Sequence, residues 1–192
     1  MRGTRLTSHI IVETAAEMAD RDGLDSVTVT SVAGMLGVQQ PALYRHIDGF
    51  DGLIRALSLK GRALLAHALS HAALGRAGED AIEAMAHAWR SFAHEHPGLY
   101  EATDRAPSAG DDEMETAIET VTDVLERALV AYELPPDDAV HAARTMRSAF
   151  HGFCHLELGR EHPSPVDLDE SYRRLIALVS AGVGSLAQAP ST

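Results

Sequence analysis

The chain holds a single cysteine, Cys154, among 192 residues. No intramolecular disulfide can form, which excludes a small secreted fold held together by disulfides. Long apolar runs are missing too. The longest, Leu175 to Ala187, is interrupted by Ser180 and Ser185 and is shorter than the roughly twenty residues that a membrane span needs. The first residues contain no apolar signal-peptide core, so the expectation is a cytoplasmic protein. Catalytic signatures are also lacking: no nucleophile elbow, phosphate-binding loop or dinucleotide fingerprint occurs. A carboxylate-bridged metal pair in a helical bundle needs two Glu-x-x-His motifs, and the nearest approach is Asp138-x-x-His141. His151 and His155 share a helical face beside Cys154, and His67 and His71 repeat the spacing, but no further ligand completes a tetrahedral set. The expectation is a protein that is not an enzyme and holds no metal or cofactor.

Net positive charge is the last absence. The formal charge is -12, which argues at first against a polyanionic partner. Its distribution softens the conflict, because residues 1–60 hold six Lys/Arg against seven Asp/Glu and the remainder ten against twenty-one. The acid therefore sits in the distal half. Arg2, Arg5, Arg45, Arg55 and Lys60 are the cations available near the N-terminal part for phosphate contacts, and Arg2 and Arg5 fit either a basic arm or ordinary surface.

Helical periodicity is plentiful, and 45% hydrophobic residues suffice for a core. Ile11, Ala15, Met18 and Ala19 fall on one face of a first helix that should end near Asp22, with Gly23 as its cap. Val27 to Val29 reads as extended, Thr30 as the cap of a short second helix from Ser31 to Leu36, with Val32 and Leu36 facing the core. Gly37 can take the positive φ that ends it, and Pro41 suits the first position of a third helix of one and a half turns, anchored by Leu43 and Ile47. A tight turn between two short helices, the second presenting Gln39, Gln40, Tyr44, Arg45 and His46, is a helix-turn-helix.

With those residues in view, the first sixty or so positions resemble the DNA-binding domain of the TetR family of bacterial transcriptional repressors. The segments SVTVTSVAGMLGVQQPALYRHI and GLIRAL carry the likeness, with Val29, Val32, Ala33, Leu36, Gly37, Val38, Leu43, Tyr44 and His46 where the family pattern places them. Beyond residue 65 the likeness is architectural, apart from the HG pair at His151 and Gly152, which is similar to one C-terminal subtype. The resemblance implies an all-α chain: a helix-turn-helix domain over residues 4–64 and a helical effector-binding and dimerisation domain over 65–192. It further implies a homodimer paired through its last two helices, a double-stranded DNA operator and, by family default, repression.

Chemistry assigns roles within the DNA-reading segment. Gln39 and Gln40 offer the paired donor and acceptor that recognise adenine, while Pro41 and Ala42 can touch a thymine methyl. Tyr44, Arg45 and His46, with Thr28, Thr30 and Ser31 from the second helix, suit phosphate contacts that set register. Tyr44 has a second reading, packing against the first helix. Two departures from the family pattern bear on affinity: the loop after the reading helix carries Asp48 and Asp51 where a phosphate-binding lysine is usual, and Thr30 stands where an arginine is common. Both lead to an expectation of weakened binding that falls steeply with salt.

The distal part reads as helices throughout. Leu53 and Leu57 open a long linking helix to about Leu74; Ile82, Met85, Ala86, Trp89, Phe92, Ala93 and His96 stripe the next, which Pro97 ends. A short helix from Gly98 to Arg105 precedes a Pro, Ser and Gly-rich loop, and Met114, Ile118, Val121, Leu125 and Tyr132 stripe a further helix closed by Pro135-Pro136. Ala139, Ala143, Met146, Phe150 and Phe153 stripe the penultimate helix; Leu168, Tyr172, Leu175, Ile176, Val179, Val183 and Leu186 stripe the last. Trp89, Phe92, Tyr100, Phe150, His151, Cys154 and His155 form the candidate site for a small, largely apolar effector, although any single one of them reads first as helical core. A protein-interaction module that has lost strong DNA binding remains the alternative, because of Asp48 and Asp51.

Overall fold

The periodicities fold into helices alone. The computed structural model describes residues 5–188, and among them lie nine α-helices, two 3₁₀ turns and no strand. They are α1 (Ser8–Asp22), α2 (Val29–Leu36), α3 (Gln40–Leu43), α4 (Gly49–Ala73), α5 (Gly78–Glu95), α6 (Pro97–Ala102), α7 (Asp112–Ala128), α8 (Pro136–Leu158) and α9 (Leu168–Gln188), with 3₁₀ turns at Leu24–Ser26 and Val130–Tyr132. Arg2 lies outside the described residues. No helix among them is long and apolar enough to cross a membrane.

Local chemistry sets most boundaries. Gly23, at φ 88°, ends α1 and returns its N–H to the Ala19 carbonyl at 2.9 Å. Thr28, not Thr30, caps α2: Thr28 Oγ1 accepts from the Ser31 N–H at 3.0 Å while Ser31 Oγ accepts from the Thr28 N–H at 2.9 Å. The reciprocal pair satisfies two end donors where a Thr30 cap would satisfy one, so the helix starts two residues earlier and Val29 is helical rather than extended. Gly37 is left-handed, φ 65° and ψ 29°, and stops α2 as expected.

The chain divides into two compact units. The first comprises residues up to 63 together with 95–114; the second comprises 64–94 and everything from 115 onward. In the first unit Ile11, Ala15, Ala19, Val32, Leu43, Leu53 and Leu57 are buried, whereas Leu36 is only half-buried. The mid-chain segment joins this core through α6. The Asp20 carboxylate on α1 accepts the Leu99 N–H and meets His96 Nδ1, both at 2.9 Å, and the buried Arg62 guanidinium donates to the Thr103 and Arg105 carbonyls. Both ends of a six-residue helix thereby find partners for backbone groups that it cannot satisfy itself. Gly98 is where α1 and α6 meet, and a Cβ there would lie 2.2 Å from the Ala19 backbone.

In the second unit the α5 stripe Ile82, Met85, Ala86, Trp89, Phe92 and Ala93 is buried. Phe150 and Cys154 of α8 and Tyr172, Ile176 and Val183 of α9 are buried as well. The Tyr172 hydroxyl donates to the Ala86 carbonyl at 2.6 Å, and Arg90 binds Glu157 at 2.5 Å and Asp169 at 2.8 Å, joining α5, α8 and α9. Two expectations are corrected. Tyr132 does not extend the α7 stripe, because that helix stops at Ala128 and Tyr132 belongs to the 3₁₀ turn before left-handed Glu133. The α9 stripe is not one face: Val183 is 4% exposed and turns inward, whereas Leu186 turns outward, as does Leu178, which lies off the stripe and is 74% exposed.

Candidate nucleic-acid interface

The segment from Gln39 to Ile47 is held from below and open above. Leu43 and Ile47 are buried, while Gln39, Gln40, Pro41, Tyr44, Arg45 and His46 are exposed and Ala42 is half-buried. The helix is shorter than its sequence suggests: four residues, with extended Gln39 as N-cap and Pro41 second rather than first. The turn continues through bonds from the His46 and Ile47 N–H groups to the Leu43 carbonyl, at 2.8 and 3.0 Å, so Tyr44 to His46 stay tied to the anchor. The Ser8 hydroxyl donates to the His46 carbonyl at 2.8 Å, pinning the segment to α1. Tyr44 is 55% exposed, so much of its side chain is open to solvent.

The α2 hydroxyls divide. Those of Thr28 and Ser31 are engaged in the capping box, and Ser31 Oγ donates on to the Ser26 carbonyl at 2.9 Å. Thr30 instead faces α3, its Oγ1 accepting from Gln40 Nε2 at 2.9 Å. That cross-link has no signal in helical periodicity, since the residues are ten apart on different helices.

Three expectations about charge change. Arg55 donates to Asp111 at 2.7 and 2.6 Å and to Glu113 at 2.8 Å, and Lys60 donates to Glu13 at 2.8 and 3.0 Å. Arg55 holds the Asp111 carboxyl below the usual carboxylate range by hydrogen bonding. Neither cation stands ready for phosphate, because burying a cation's stem beside carboxylates gives it partners that spacing alone does not reveal. Arg5 and Arg45 are exposed. Asp51 is not in a loop: α4 begins at Gly49, so Asp51 sits in its first turn, where a negative charge complements the helix dipole, with Arg105 Nη1 3.7 Å away. Asp48 precedes the helix, exposed.

Among the residues named for an effector, Trp89, Phe92, Phe150 and Cys154 are buried in the second unit, the Trp89 and Phe150 rings 6.3 Å apart. Burial pushes the Cys154 thiol up to about 12. Tyr100 is buried within the first unit, His151 is half-buried and His155 exposed. Tyr172, missed in that grouping, packs 6.5 Å from the Phe150 ring; its place on the α9 stripe beside Ile176 was the available signal. The second unit also has a groove of about 400 Å³ between the start of α5 and α9, by Glu79, Glu83, Arg173 and Ile176. Another of about 310 Å³ lies at the C-terminal ends of α4 and α7, by Leu74, Arg76, Val124 and Arg127.

Residues 82–179 match the family described as tetracyclin repressor-like, C-terminal domain. An HTH-type transcriptional regulator of Mycobacterium tuberculosis is 36% identical over 183 residues, spanning 95% of this chain and 84% of the relative. The fold is shared with a TetR transcriptional regulator of Streptomyces coelicolor, with TM-score 0.74, 20% identity and coverage of 95% of this chain and 100% of that one. It is shared too with BioQ, solved with its natural double-stranded DNA operator, at TM-score 0.67 and 22% identity over 94% of this chain and 99% of that one. These relatives are regulators, a non-catalytic kind of function. With an exposed polar segment on a helix-turn-helix, a C-terminal family match over residues 82–179 and a regulator 36% identical over 95% of the chain, the chain belongs to the TetR family of DNA-binding transcriptional regulators.

Proposed function

We propose that the protein is a homodimeric repressor that binds a near-palindromic operator and is released from it by a small, largely apolar effector. The carrying observation is the exposed row Gln39, Gln40, Tyr44, Arg45 and His46 above buried Leu43 and Ile47. Gln39 and Gln40 read bases, aided by Pro41 and Ala42 against thymine methyls; Tyr44, Arg45 and His46 contact phosphates. The capping box of Thr28 and Ser31 fixes the first turn of α2, which is the part of that helix proposed to approach the DNA backbone. Residues 4–64 carry this work and 65–192 carry pairing and effector response, in the cytoplasm where the operator is.

Pairing uses the outward faces of the last two helices. Leu156 on α8 and Leu178, Ala181, Gly182 and Leu186 on α9 are exposed, and small Ala181 and Gly182 allow a second backbone to come close. A two-fold axis there sets two DNA-reading segments about 34–36 Å or a small multiple apart, which calls for an inverted repeat. The effector enters among Trp89, Phe92, Phe150, Cys154, His151 and His155 of the second unit. Because Trp89 and Phe150 already pack as core, entry requires the helices to part, so the site is a minor conformation that the ligand stabilises.

Footprinting of the gene's own upstream DNA tests this directly. Protection of an imperfect inverted repeat supports operator binding and two-fold symmetry together; absence of any protected repeat argues for the second reading, a helical protein-interaction module. That reading draws on Asp48 and on the engagement of Arg55 and Lys60. With those cations taken, few counterions are released on binding, so the salt dependence is shallow rather than the steep one expected from sequence.

A further inference from the structure

We infer that Thr30 is a positioning residue for base recognition, its hydroxyl holding the Gln40 amide in the orientation that reads a base pair. The inference rests on α3 being the element that enters the major groove. Gln40 Nε2 donates to Thr30 Oγ1 at 2.9 Å, linking the second residue of α2 to the first residue of α3 across the intervening turn. Both residues are exposed. An exposed glutamine samples many directions, and ordering it on contact with DNA has an entropic cost that a bond made beforehand reduces. Thr30 suits the task because β-branching restricts the direction of its hydroxyl.

The valences fit. A glutamine amide has two N–H donors and one carbonyl acceptor. With one N–H donated to Thr30, one donor and the acceptor remain, the pair that adenine N7 and N6–H require. Thr30 keeps its own O–H proton for a phosphate or water while its oxygen accepts from Gln40. The neighbouring hydroxyls of Thr28 and Ser31 cannot substitute, being bonded to each other and to the α2 backbone. Gln39 makes no side-chain bond to the α3 N-terminus.

The test selects bound sequences from a randomised duplex library with the full chain as wild type, Thr30→Val, Thr30→Ser, Gln40→Ala and the double variant Thr30→Val/Gln40→Ala. The expected result is an inverted repeat in which Thr30→Val and Gln40→Ala relax the same base pair of each half-site by about tenfold. Thr30→Ser should keep the preference, and the double variant should be no more relaxed than Gln40→Ala alone. Uniform weakening by Thr30→Val, relaxation at a different base pair or an unchanged profile overturns the inference while leaving α3 as the DNA-reading element. Failure of the wild type to enrich any repeat overturns both. Circular dichroism of each unbound variant identifies loss of fold; should Thr30→Val be unfolded, Thr30→Ala replaces it under the same criteria.

Discussion

Asp48 is the residue at which the proposed contact with DNA phosphates is most directly tested. It is exposed immediately after the segment proposed to read DNA, where the resemblance to the family leads one to expect a cation. Replacing Asp48 by Lys should tighten binding to every DNA sequence alike and steepen the slope of log affinity against log salt by about one unit. A filter-binding titration over salt concentration measures it, and an unchanged slope means that this position stays away from the backbone. Single residues also mark where sequence reasoning stops. Arg55, Lys60 and Arg45 have similar charges in the sequence, yet Arg55 is bound to Asp111 and Glu113, Lys60 to Glu13, and Arg45 is exposed. Their partners lie 47 to 58 positions away, beyond any helical period.

Elements are tied to one another by a few polar contacts within apolar packing. Glu157 on α8 receives Arg90 of α5 at 2.5 Å and His94 at 3.0 Å, and its side chain is 8% exposed. The Arg90 hydrogen bond, opposed by burial and assisted by His94, holds the Glu157 carboxyl below its ordinary value of 4.5. A carboxylate so depressed contributes stability that is fully present above that ordinary value and is lost as pH falls through the lowered one. Urea unfolding at stepped acidic pH should therefore show a loss in the wild type that Glu157→Gln diminishes; equal acid loss in both would place the sensitive carboxylate elsewhere. Glu157→Ala should cost about 3 kcal/mol at neutral pH, the low end for a broken buried pair because Asp169 still engages Arg90. The helices themselves were legible, since α1, α5, α8 and α9 each bury residues at the spacings seen in the sequence. Their ends were less so: the capping box moved the start of α2, and the break after Ala128 took Tyr132 off α7.

For the whole molecule, dimerisation and effector response are the two proposals that can be tested. Leu178 projects 74% exposed from α9, so Leu178→Asp should leave the protomer folded and yield monomers in sedimentation at micromolar concentration. Val183→Asp is the wrong probe, because Val183 is buried in its own protomer and a charge there would unfold it. A persistent Leu178→Asp dimer removes this face from the interface. Trp89, the single tryptophan, reports on the effector. A ligand that quenches its fluorescence should lower operator affinity by the same factor by which operator lowers ligand affinity, a coupling of about 1 to 3 kcal/mol in usual cases. If Trp89→Phe with Phe150→Ala leaves ligand-driven release unaltered, those aromatics serve only as core.

Sequence by itself determined what depends on near neighbours. Gly37 imposes a left-handed turn, Leu43 and Ile47 anchor the exposed residues between them, and stripes three and four apart decide which elements are helical. Tertiary structure alone decided what depends on distant partners. It brought residues 95–114 into the unit that holds α1 to α3, through the bond from the Leu99 N–H of α6 to Asp20 of α1 and through Gly98, whose missing side chain admits the Ala19 backbone. It chose which cations are engaged, which side of α9 faces outward, and that Thr30 meets Gln40. Helical periodicity records the face that a residue shares with its neighbours on one helix; which other helix that face meets is set by packing across the chain.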